Sequence, residues 1–123
     1  MKRFAVMMLA ALGAFFMAGC GDTIDGTDQK SFQSSSAQIA LGLDDEQLIE
    51  FVAAANLIDE REKEPRKALD GMTVGDVIDK AREIDEKAFE DKLEEFNKMP
   101  EAVRTQIIKE IRSQAEVAAG SRE

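Results

Sequence analysis

The chain has 123 residues, with 16 Lys and Arg against 25 Asp and Glu, a formal charge of −9, one Cys and no His, Trp or Tyr. A Ser-His-Asp or Cys-His couple, a Cys/His cage for zinc and an intrachain disulfide are therefore excluded. Phosphate neutralisation needs clustered cations and base stacking needs exposed aromatics, so an acidic chain this poor in aromatics is expected to bind no nucleic acid.

Lys2 and Arg3 form a positive start, Phe4 to Phe16 is apolar apart from Gly13, and Met17-Ala18-Gly19-Cys20 follows. This order of charge, apolar run and small residues is that of a secretory signal peptide. The uncharged run from Phe4 to Gly19 falls short of the roughly 20 residues that cross a bilayer core, so a permanent membrane span is the weaker reading. Met17-Ala18-Gly19-Cys20 resembles the bacterial lipobox, with Met17 in place of the commoner Leu. Small Ala18 and Gly19 let extended backbone approach a peptidase, cleavage is expected after Gly19, and the Cys20 thiol accepts a diacylglycerol. Ordinary secretion would instead leave Cys20 as a lone thiol in an oxidising compartment, which is unusual. Several acyl chains at Cys20, palmitate among them, would anchor the chain far more firmly than one myristoyl group. Loss of Lys2 and Arg3 makes the remainder still more acidic, so beyond its anchor the chain is expected to project away from anionic headgroups. In enterobacterial-type sorting an Asp directly after the Cys retains a lipoprotein at the inner membrane. Here Gly21 intervenes before Asp22, and the outer membrane, facing the periplasm, is the expected location.

The predicted organisation is a signal peptide over 1–19, lipidated Cys20 and a linker over 20–28, a helical domain over 29–119 and a short tail over 120–123. The linker GDTIDGTD has no helical period and reads as turn. Asp22, Asp25 and Asp28 are spaced by three, which does not match the alternating ligands of a calcium loop, and no metal or cofactor is assigned.

Four helices are predicted beyond it. Asp28 or Thr27 caps the first, reaching about Leu41 with Phe32, Ser36, Ile39 and Leu43 at helical spacing. Asp44 with Gln47 starts the second in a capping-box-like pattern, with Leu43 and Leu48 as a staple. Its stripe is Leu48, Phe51, Val52, Ala55 and Ile58, and it ends in a charged tail before Pro65. Pro65 to Leu69 forms a single turn, which Asp70-Gly71 breaks. Thr73 with Asp76 and Met72 with Val77 repeat the box and the staple for a third helix, whose stripe runs from Val74 to Phe96. Asp76–Lys80, Glu83–Lys87 and Glu94–Lys98 are expected as i,i+4 ion pairs along it. Met99-Pro100 ends it, and a fourth helix carries Val103, Ile107, Ile108 and Ile111, fraying near Gly120. The fold class expected is all-α, a small three- to four-helix bundle.

Two segments carry a resemblance. Ile24-Asp25-Gly26-Thr27 precedes Phe32, and Leu69-Asp70-Gly71-Met72-Thr73 precedes Asp76, Val77, Ile78 and Ala81. Together with the lipobox these resemble a family of small Gram-negative lipoproteins of unknown function, whose members carry an I-D-G-S/T turn and an L-D-G-x-T helix start. The resemblance implies a lipid-anchored, mainly helical periplasmic domain and transfers no catalytic residue. Gly26 and Gly71 suit turns, and Asp25, Asp70 and Thr73 suit turn bonds and caps.

A non-enzymatic envelope adaptor or structural component is therefore the leading expectation. It would meet an envelope protein or a second copy through a helical face, for which Phe89, Leu93 and Phe96 are the candidate contacts, although core packing is the commoner use of such a stripe. The alternative is a lipid-anchored, carboxylate-dependent hydrolase acting on cell-wall material. So many acids guarantee neighbours such as Glu94 and Glu95 by chance, and no catalytic residue is assigned. A lysis-type lipoprotein ranks last, because those are shorter and lack a packed domain.

Overall fold

The structure is a computed structural model that describes residues 22–120. Among the described residues there are five helices and no strand: α1 (Gln29–Leu41), α2 (Asp45–Arg61), α3 (Pro65–Leu69), α4 (Val74–Asn97) and α5 (Glu101–Gly120). The class is all-α, a small helical bundle in which α2 packs along α4 and α1 along α5. Each of the three capped starts satisfies a backbone N–H that the helix itself leaves open. Asp28 accepts from the Ser31 amide at 2.8 Å and Asp44 from the Gln47 amide at 2.8 Å. Thr73 and Asp76 form a full capping box, each side chain accepting from the other's backbone amide at 3.2 Å. Pro65 occupies the start of α3, where its missing N–H costs nothing.

The core combines Leu48, Phe51, Leu57 and Ile58 of α2 with Val77, Ala81 and Phe89 of α4, and with Ala37, Ile39 and Ala40 of α1. All its residues lie between Ile24 and Ala115, so the chain from Cys20 onward retains every one of them. On α1 the buried face is Ser34, Ala37, Ile39 and Ala40, while Phe32, Ser36 and Leu43 are only half-buried. The buried face is thus shifted from the expected stripe, sharing Ile39 with it and otherwise made of the small Ser34, Ala37 and Ala40.

Two further expectations are corrected. The predicted linker packs onto the domain at Ile24, which is only 2% exposed. One apolar residue in a polar run shows no period, yet it is enough to anchor the segment. The third predicted helix is interrupted: Asp85 has φ −166° and ψ 88°, outside the helical region. Its carboxylate accepts from the Ala88 amide at 3.0 Å, which makes it the N-cap of a second half. The Arg61 guanidinium donates to the same carboxylate at 2.9 Å. The break takes Glu83 and Lys87 out of helical register, and Lys87 pairs with Asp91 at 3.1 Å instead. Asp76 is engaged in the capping box, and Lys80 reaches Glu62, just past the end of α2, at 3.5 Å. The Glu94–Lys98 pair forms as expected, at 3.6 Å.

Candidate functional site

The expected anchor and cleavage site, Cys20 and Gly19, lies outside the described residues, as does the tail beyond Gly120. Within the described residues, the segment that follows Cys20 in sequence forms a clasp. The Ile24 amide donates to the Met72 carbonyl at 2.9 Å, and the Gly71 amide donates to the Ile24 carbonyl at 2.7 Å. The Gly26 amide donates to Asp70 Oδ1 at 2.7 Å. The Asp-Gly motifs of the two segments are therefore one contact, made between residues 44 apart in sequence. Each position has a physical reason. A Cβ at Gly26 would stand 2.6 Å from the Arg66 carbonyl oxygen and 2.8 Å from Asp70 Cβ, so only glycine allows this approach. Gly71 sits at φ +84°, a conformation that side-chain-bearing residues rarely adopt. Asp25 accepts from the Thr27 amide at 3.0 Å, closing an Asx turn, while its own amide donates to Ser35 Oγ at 2.8 Å.

Three of the concave regions among the described residues bear on this frame and on the proposed contact residues. The largest, about 960 Å³, is an open groove between α1, α2 and the C-terminal half of α5, with Ile24, Ala37, Ala40, Phe51 and Leu69 among its apolar lining. Asp59, Asn56 and Gln114 contribute its polar lining, and Val117, 74% exposed, projects from α5 beside it. A polar cleft of about 660 Å³ lies against Asp22, Asp25, Lys30 and Gln38. Ser34 borders this cleft, 3% exposed, with an Oγ that has no hydrogen-bond partner among the described residues.

The third region, about 380 Å³, involves the proposed contact residues. Leu93 and Phe96, both half-buried, line it with Ile49, Glu50, Arg104 and Ile108. Phe89 is fully enclosed in the core, with the Arg82 guanidinium 4.8 Å from its ring centroid. The three residues are thus divided: Phe89 supports the face from within, and Leu93 and Phe96 reach its surface. Burial pushes the Glu50 carboxyl above its ordinary value, and the negative charge of Glu46 one turn earlier adds to the shift. Periodicity marks Glu50 merely as a polar position flanking the α2 stripe, so this shift has no signature in sequence.

Asp28 and Asp85 move the other way. Backbone hydrogen bonds from Ser31 and from Ala88 hold their carboxyls below the usual range, with the Arg61 bond adding to the effect at Asp85. Among the described residues no group of three or more acidic or thiol side chains converges to hold a metal ion, and no helix is long and apolar enough to cross a membrane. No family model, curated protein or solved structure matches the chain.

Proposed function

We propose that the chain is a membrane-anchored lipoprotein of the cell envelope, facing the periplasm from the outer membrane, and that it acts as a non-enzymatic adaptor or structural component. The observation that carries this reading is the order of Lys2-Arg3, the apolar run to Phe16 and Met17-Ala18-Gly19-Cys20, directly ahead of a folded helical domain. Membership in the family of small Gram-negative lipoproteins of unknown function belongs to the same proposal. Pairing of the two Asp-Gly motifs in one clasp supports reading them as one structural unit. The clasp also leaves only a few residues between Cys20 and the domain, so the tether is short. The half-buried Leu93 and Phe96 offer a partner or a second copy apolar surface at the edge of a groove.

The test is capture after in-cell crosslinking, from separated inner and outer membranes, with Cys20→Ser as the mislocalised control. Recovery in the outer membrane with a discrete partner that the control loses is the expected result. Recovery of wild type and control alike in the soluble fraction contradicts the anchored reading.

A second reading, the lipid-anchored carboxylate-dependent hydrolase, has one observation in its favour. Glu50 is a half-buried carboxyl with a raised pKa, facing a groove that holds further acids. Release of soluble fragments from purified cell-wall material by the wild type, and its loss in Glu50→Gln, would favour that reading. No release by the wild type sinks it.

A further inference from the structure

We infer that the open groove between α1, α2 and α5 holds an alkyl chain, and that its occupant is the acyl chain on the protein's own Cys20. The inference rests on the proposed lipidation and adds a binding site to it. The first argument is position. Cys20 is four residues from Ile24, which lines the groove, and four extended residues span at most about 14 Å. The clasp fixes Ile24 through both its backbone groups, and although Asp22 and Thr23 border the polar cleft, the reach from Ile24 keeps Cys20 within range of the groove.

The second argument is the chemistry of the lining. The buried residues Ile24, Ala37, Ala40, Phe51 and Leu69 of the lining are all apolar, while its polar residues Asn56, Asp59 and Gln114 are exposed. An alkyl chain lying along these buried residues brings no N–H or C=O group that would need a partner there. Ala37, Ala40, Ala55 and Ala118 leave open space where larger side chains would have closed the helix contact. The volume, about 960 Å³, lies at the upper end of the roughly 300–1,000 Å³ range of small-molecule sites. Because the groove opens to solvent, a chain held there in water remains free to pass into a bilayer.

The experiment uses the chain from Cys20 to Glu123, which keeps the whole core and a single thiol. That thiol is added across the double bond of N-hexadecylmaleimide in one sample and of N-methylmaleimide in the other, with equal helical circular dichroism as the folding control. The hexadecyl conjugate is expected to elute as a monomer, with NMR shift changes concentrated at Ile24, Ala37, Phe51 and Leu69 relative to the methyl conjugate. Ala55→Trp, and independently Ala118→Phe, narrow the groove and should turn the hexadecyl conjugate into large assemblies while leaving the methyl conjugate monomeric. A hexadecyl conjugate that assembles with unmoved groove resonances overturns the inference. So does a methyl conjugate that dimerises through the groove, since a second copy would then be the occupant. Lipidation in cells is read separately, from the mass of the processed N-terminus. An acylated Cys20 with a silent groove overturns this inference alone, and an unacylated Cys20 overturns the anchored reading and the inference together.

Discussion

The Gly26 amide donates to Asp70 Oδ1 at 2.7 Å, and Gly26 approaches so closely that a methyl group there would stand 2.6 Å from the Arg66 carbonyl oxygen. This contact turns a polar leader into part of the domain. It predicts that Gly26→Ala destabilises by about 1–3 kcal/mol, because neither the backbone carbonyl nor Asp70 Cβ can move without breaking the clasp. Gly75→Ala is the control, since a Cβ there meets only Thr73 Oγ1 at 3.9 Å in the first turn of α4. It should be neutral or stabilise by up to about 1 kcal/mol. Urea denaturation with an unchanged m-value reads both.

Capping supplies a second prediction. Thr73→Ala removes one half of a capping box and should cost about 0.5–2 kcal/mol in the same measurement. At the interruption of α4, Asp85→Ala removes both the cap on Ala88 and the ion pair with Arg61. Arg61→Met removes only the half-exposed ion pair, so its loss of stability should be the smaller of the two.

The core and the exposed edge of α4 should separate under truncation. Phe89→Ala is expected to cost about 3–5 kcal/mol, as loss of a fully enclosed aromatic usually does. Phe96→Ala, half-buried beside the smaller groove, should leave the fold intact and weaken capture of a partner. Unfolding of both variants alike would place Phe96 in the core and remove it from the proposed contact surface.

The pH dependence has two opposing parts. The Asp28 and Asp85 carboxyls are lowered, so the folded state binds their protons less readily than the unfolded chain does. Their stabilisation is complete above the ordinary carboxylate range, about pH 4, and is lost as pH falls through their folded values. Glu50 is raised, so the folded state takes up its proton first, and its cost appears as pH rises from the ordinary value through the raised one. Glu50→Gln should therefore stabilise the protein at neutral pH and flatten the slope just above the ordinary glutamate range. Asp85→Asn should flatten the slope below pH 4 or thereabouts. Denaturation midpoints measured across pH separate the two.

Much of this fold can be read from local chemistry. Asp28, Asp44 and Thr73 with Asp76 announce their helices because caps act within four residues, and Pro65 and Pro100 punctuate because they lack an N–H. The clasp is not legible in the same way. Its two halves are far apart in sequence, and each has a sufficient local explanation as a turn. The interruption at Asp85 is hidden for a different reason. Ile84 and Ala88 continue the apolar stripe across it, so the period persists while the backbone departs from the helix. The grooves depend on how helices meet, which no single-helix pattern contains. Leu93 and Phe96 are visible as an apolar edge, whereas the shift at Glu50 beside them arises chiefly from burial, which the pattern of α2 alone does not contain.

The anchor is the premise on which the location, the adaptor role and the acyl groove all depend. Its most direct test is the intact mass, with fragmentation, of the protein purified from bacterial membranes. The account predicts an N-terminus that begins at Cys20 and carries a diacylglycerol on sulfur, with Cys20→Ser unprocessed and unmodified. A mature chain that begins elsewhere, or an unmodified Cys20 thiol, would contradict it.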